Sequence, residues 1–162
     1  MGELNELSGR LAKLLLDRQK QLAVAESCTG GWLAKCLTDI SGSSGWFERG
    51  FVTYSNQAKQ EMLGVDATTL AEDGAVSEAV VREMAQGVLS HSPADIAVAI
   101  SGIAGPDGGS PGKPVGTVCF AFAERGGDVQ AMTCHFKGVR EAVSLRAVHY
   151  ALSQLVQLYG DG

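Results

Sequence analysis

The sequence predicts an α/β fold: a three-layer α/β/α sandwich with a mixed, mostly parallel sheet and a late antiparallel hairpin. Three observations carry the expectation. Short apolar runs alternate with helix-length segments through the first hundred residues, as parallel crossovers require. Gln21-Leu-Ala-Val-Ala25 and Asp95-Ile-Ala-Val-Ala-Ile100 are apolar or small on both faces, as in strands covered on both sides. Between two strand-like runs late in the chain, Arg125-Gly126-Gly127-Asp128 reads as a hairpin turn.

In order, Leu4, Leu7, Leu11, Leu14 and Leu15 lie at helical spacing, so residues 3–18 form an amphipathic helix. The strand 21–25 runs into the corner Ala25-Glu26-Ser27-Cys28-Thr29-Gly30-Gly31 and then into a helix reaching about Thr38. Ile40 to Gly45 is a loop, and Phe51-Val-Thr-Tyr54 reads as the second strand. Ser55 caps a short helix from Asn56 to Leu63 that Gly64 closes. Residues 65–76 are irregular, with one helical turn at Thr68–Glu72. Ser77 caps a helix running to about Ser90, where Pro93 prevents continuation. After the strand 95–100 comes a long loop from Ser101 to Val115, holding five glycines and three prolines. Residues 117–123 and 129–136 are the hairpin strands, and 139–158 the last helix. No linker or internal repeat interrupts the chain, so 1–162 is read as a single domain.

Composition narrows the function. Of 162 residues, 45% are hydrophobic and 19% charged, as in a globular protein. A net charge of −5 argues against a general nucleic-acid binder. No apolar run approaches the roughly 18 residues a membrane span needs, so no membrane partner is expected. Cys28, Cys36, Cys119 and Cys134 form no CxxC pair. Without a signal-peptide pattern they read as reduced thiols of a cytoplasmic protein.

In open α/β sheets, sites form at the carboxyl ends of strands. Three turns leave such ends: 26–31, 54–59 and 101–114. The first aims hydroxyls and N–H groups at one spot, suiting an anion or a nucleophile beside an oxyanion hole. Ser27 and Cys28 both qualify as the nucleophile, and only one can face the cleft. A thiol there would want a histidine, but His91, His135 and His149 all fall outside strand-end turns. Metal-ligand spacing is absent. A serine can instead be activated by a desolvated lysine, and Lys59 lies in the first turns of the helix after Tyr54. Tyr54 is placed to relay a proton or orient that lysine. Their plainer reading is an exposed lysine and a half-buried tyrosine.

The glycine loop fails as a P-loop. Counting back from Gly112-Lys113, the required first glycine is Asp107, and Pro114 replaces the magnesium-binding Ser/Thr. Its backbone can still form an anion nest, with Lys113 as the positive charge. Arg140 and Arg146 begin the last helix; six residues apart, they do not share a face, so at most one reaches the same pocket directly. Glu72-Asp73 and Glu124/Asp128 are solvated turns.

Taken together, Ala25-Glu-Ser-Cys-Thr-Gly-Gly31, Thr53-Tyr-Ser-Asn-Gln-Ala-Lys59 with Leu63-Gly-Val65, Ser101-Gly-Ile-Ala-Gly-Pro-Asp-Gly-Gly109 with Lys113-Pro-Val-Gly116, Gly138-Val-Arg140 and Arg146 resemble the CinA C-terminal domain family. The resemblance covers nearly the whole chain. It implies a compact α/β/α fold, usually dimeric. It also implies nicotinamide-nucleotide amidase activity, hydrolysing nicotinamide mononucleotide to nicotinate mononucleotide and ammonia. On the matching positions Ser27 is the nucleophile, with Lys59 and Tyr54 as activating partners. Cys28, Thr29, Gly30 and Gly31 would frame the oxyanion. Gly102, Ala104, Gly105, Lys113 and one of Arg140 and Arg146 would hold the nucleotide, with no metal or cofactor. A non-catalytic nucleotide-binding module that regulates a partner is the alternative these residues leave open.

Overall fold

A computed structural model describes residues 2–160. The order is α1 (Gly2–Arg18), β1 (Leu22–Glu26), α2 (Trp32–Thr38), a 3-10 turn (Ser43–Gly45), β2 (Phe47–Val52), α3 (Asn56–Leu63), α4 (Ala67–Asp73), α5 (Glu78–Ser90), β3 (Ile96–Gly102), β4 (Thr117–Glu124), β5 (Val129–His135) and α6 (Arg140–Gly160). The five strands form one sheet in the order β2-β1-β3-β4-β5. β1 pairs in parallel with β2 and β3, while β4 runs antiparallel to both β3 and β5. The sheet is therefore mixed, with β4 alone opposing the other four strands.

The two faces of the sheet differ in side-chain size, and this sets the layers. Leu22, Val24, Ile96, Val98, Ile100, Phe120 and Phe122 point to one side and form a core with α1, α2 and α6. Ala23, Ala25, Ala97, Ala99, Ala121 and Ala123 point to the other, where α5 lies across them with Leu63 of α3 and Leu70 of α4. Alternation of bulky and small residues along buried strands thus assigns each helix to a layer. Close approach recurs at Gly87 of α5, where an added Cβ would lie 2.1 Å from the Leu63 carbonyl oxygen.

The local signals at α3 act as expected. Ser55 accepts a hydrogen bond from the Ala58 N–H at 3.0 Å, and Gly64 ends the helix in the left-handed region at φ 72°. Ser77 likewise caps α5 by accepting from Val80. β2 departs from the sequence reading: it spans Phe47–Val52 instead of residues 51–54. As an edge strand it pairs only with β1, so Glu48, Arg49 and Gly50 are tolerated where a central strand would need apolar residues. The Thr53 N–H still donates to the Glu26 carbonyl at 2.9 Å, and the chain leaves the ladder after it, which frees Tyr54 for the loop above the sheet. Among the described residues, no helix is long and apolar enough to cross a membrane. All four cysteines are free thiols.

Candidate active site

Glu26, the last residue of β1, is in register with Val52, the last of β2, and with Ile100 of β3, which runs on to Gly102. The chain segments leaving these strand ends converge on an open pocket of about 280 Å³. Lined by residues from all three turns, it occupies the position the topology predicts.

The Ser27 corner is built around Glu26. This carboxylate is fully buried. Its Oε1 accepts from Thr29 Oγ1 at 2.6 Å and from the Leu33 N–H at 2.9 Å, and its Oε2 accepts from the Ala34 N–H at 2.9 Å. A buried carboxylate is tolerated only when donors satisfy it, and the first turn of a helix supplies them with a favourable dipole. Gly30 and Gly31, at φ 61° and 103°, make the sharp turn that brings α2 back over Glu26. Ser27 is anchored through its N–H to the Ile100 carbonyl at 3.0 Å. Among the described residues, neither the Cys28 N–H nor the Thr29 N–H donates to a backbone carbonyl, and Cys28 lines the pocket next to Ser27.

Lys59 enters from the first turns of α3. It is only 1% exposed, and its Nζ donates to Ser27 Oγ at 3.0 Å and to the Thr53 carbonyl at 2.8 Å. Among the described residues, no carboxylate pairs with it. Burial therefore disfavours its ammonium and holds the group below the ordinary lysine range. A lysine so placed can accept a proton from the serine it contacts.

Burial acts oppositely on the neighbouring thiol, pushing Cys28 up to about 12. At neutral pH burial therefore keeps this sulfur in its protonated form.

Tyr54 stands at the rim, 62% exposed. Its hydroxyl accepts from Arg140 Nη2 at 2.7 Å, not from Lys59 or Ser27. Arg140 Nη1 donates to the Gly105 carbonyl at 2.8 Å. One guanidinium thereby ties together β2's exit, the glycine loop and the start of α6. Gly105 itself is at φ 85°, and a Cβ there would lie 2.4 Å from Val115 Cγ1, so this loop conformation requires glycine.

The structure brings Ser27, Cys28, Tyr54, Lys59, Gly102, Ala104, Gly105 and Arg140 to one pocket. Thr29, Gly30 and Gly31 shape the corner from behind without lining it. Lys113 is elsewhere: its Nζ donates to the Asp73 carbonyl at 2.6 Å, in a separate depression beside His135. Arg146 is also turned away, donating to the Lys137 carbonyl and lining a groove with His149 and Tyr150. The sequence reading passed over Glu26, whose signal was a carboxylate ending an otherwise apolar strand. It also passed over Asn56, Ser101 and Asp107, which line the pocket. Among the described residues, no three His, Cys, Asp or Glu side chains cluster as a metal site would require.

The sequence and the fold both recur in known proteins. The CinA C-terminal domain family matches residues 4–159. A protein of Escherichia coli K12, named nicotinamide-nucleotide amidohydrolase PncC, is 58% identical over 158 residues, covering 97% of this chain and 95% of its own. A protein of the same name from Pseudomonas putida is 48% identical and covers 98% of each chain. The crystal structure of the competence/damage inducible protein CihA from Agrobacterium tumefaciens superposes with a TM-score of 0.95 at 44% identity, covering 98% of this chain and 96% of that one. This chain belongs to the CinA C-terminal domain family.

Proposed function

We propose that this protein is a nicotinamide-nucleotide amidohydrolase that converts nicotinamide mononucleotide to nicotinate mononucleotide and ammonia, with Ser27 as the nucleophile. The observation that carries the reading is the 3.0 Å contact between Ser27 Oγ and the buried Lys59. The name of its full-length relatives supports the substrate.

In this reading neutral Lys59 takes the proton of Ser27 as Oγ attacks the carboxamide carbon. The oxyanion meets the backbone N–H of Cys28, next to the attacking hydroxyl. Collapse breaks the carbon–nitrogen bond, and the Lys59 ammonium returns its proton to the departing ammonia. Water, deprotonated by Lys59, then attacks the Ser27 ester; collapse breaks the ester bond, releases the carboxylic acid, and the Lys59 ammonium returns its proton to Ser27 Oγ. Tyr54 and Arg140 position the ribotide at the pocket rim, and Arg140 meets its phosphate. Of the guanidinium's five N–H donors, two are engaged by the protein, which leaves three for an anion. The reading includes a cytoplasmic location and a homodimer; light scattering of the purified protein tests the latter.

The experiment is ammonia release from nicotinamide mononucleotide by the purified protein, with the pyridine product identified chromatographically. Stoichiometric ammonia and nicotinate mononucleotide are expected. Saturable binding of the nucleotide without product after long incubation would instead establish a non-catalytic binding module.

A further inference from the structure

A nicotinamide ribotide is a zwitterion: the quaternised ring nitrogen carries a fixed positive charge, and the phosphate is negative. Arg140 supplies a counter-charge for the phosphate, and buried Lys59 is occupied with Ser27. The pocket also holds a charge the reaction does not use. Asp107, from the glycine loop, is the one carboxylate among the residues lining it. Among the described residues, Asp107 has no lysine, arginine or histidine partner within ion-pair distance. Asp107 is exposed, and a carboxylate with no direct ion-pair partner in a pocket for an anionic nucleotide repels the phosphate unless it meets a cation of the ligand. The pyridinium ring is that cation. Tyr54 lines the same pocket, exposed and with its hydroxyl held by Arg140, so the pocket also carries an aromatic surface suited to a cationic ring.

We propose that Asp107 is a specificity-determining residue that supplies the counter-charge for the pyridinium ring, so that the site selects the oxidised, positively charged nicotinamide ribotide over ligands with a neutral ring. The proposal rests on the amidohydrolase reading above. It concerns binding, because a carboxylate beside the ring stabilises the bound cation without touching the reacting carbon.

The test compares nicotinamide mononucleotide with its reduced dihydropyridine form, which has the same carboxamide, ribose and phosphate but an uncharged ring. The measured quantity is the ratio of kcat/KM for the two. Where the reduced nucleotide turns over poorly, its inhibition constant against the oxidised substrate supplies the ratio. Asp107→Asn, near-isosteric and neutral, is expected to lower the preference for the oxidised form about fivefold, mostly through KM, as an exposed charge pair allows. Asp107→Glu, which keeps the charge, retains most of the preference. Equal losses for both nucleotides in Asp107→Asn would show that Asp107 serves the ribose or the loop and would overturn the proposal. So would equal loss of preference in Asp107→Asn and Asp107→Glu. Wild-type protein that releases no ammonia from the oxidised nucleotide would overturn the amidohydrolase reading itself, a distinct outcome.

Discussion

Replacing Lys59 by methionine separates what this residue contributes to chemistry from what it costs the fold. Methionine fills much the same volume in a site that is 1% exposed, without charge or donor. Loss of a general base in hydrogen-bond contact with its nucleophile lowers turnover roughly 10²–10⁴-fold, or about 2.7–5.4 kcal/mol at about 1.36 kcal/mol per decade. Stability should move differently. Lys59 is held below the ordinary lysine range by burial, so at neutral pH the unfolded chain binds a proton more readily than the folded one. Stability of the wild type therefore rises with pH between the lowered folded value and about 10.4, the unfolded lysine value. Lys59→Met lacks this dependence. It should melt no lower than wild type at pH 7, and any advantage should shrink as the pH approaches 10. The assays are ammonia release and thermal unfolding across pH 6–10. Turnover within tenfold of wild type would refute the assignment of Lys59 as base. A pH-independent stability difference would refute the desolvation argument.

Other substitutions probe the surrounding parts. Cys28→Ala should keep turnover within about threefold of wild type, and the thiol should resist iodoacetamide at pH 7, since burial pushes it to about 12; loss of activity would return the nucleophile to the sulfur. Arg140→Lys keeps the charge but cannot bridge Tyr54 and the Gly105 carbonyl together. It should raise KM for the nucleotide about tenfold with a smaller effect on kcat. Thr53 Oγ1 is buried without a hydrogen-bond partner, whereas Lys59 uses only the Thr53 carbonyl. Thr53→Val should therefore be neutral or stabilising by up to about 1 kcal/mol, read as a rise of a few degrees in Tm with turnover retained.

The legible parts of this molecule were those set by local rules. Ser55, Gly64 and Ser77 placed the ends of α3 and the start of α5, because caps and left-handed closures act within a few residues. The apolar runs of β1 and β3 identified the central strands, and their carboxyl ends located the site. β2 was displaced because Glu48, Arg49 and Gly50 on an edge strand carry no period-2 signal. Lys113 and Arg146 look alike in sequence to a site lysine and a site arginine. Their direction is decided by carbonyl acceptors at Asp73 and Lys137, one of them forty residues away. Tyr54 was expected beside Lys59 and is found bonded to Arg140, a contact spanning 86 residues that no local pattern encodes. Glu26 is the reverse case. Its burial follows from its position at the end of a covered strand, and its partners from the helix that must begin nearby.

The central claim is that Ser27, activated by Lys59, attacks the carboxamide. Turnover of nicotinamide mononucleotide by Ser27→Ala, measured as ammonia release under saturating substrate, tests it most directly. Removing a nucleophile that acts in concert with its base should lower kcat by at least about 10⁴-fold, while nucleotide binding, followed by the shift in Tm, stays close to wild type. Activity retained within about tenfold would contradict the account and assign the chemistry to another group.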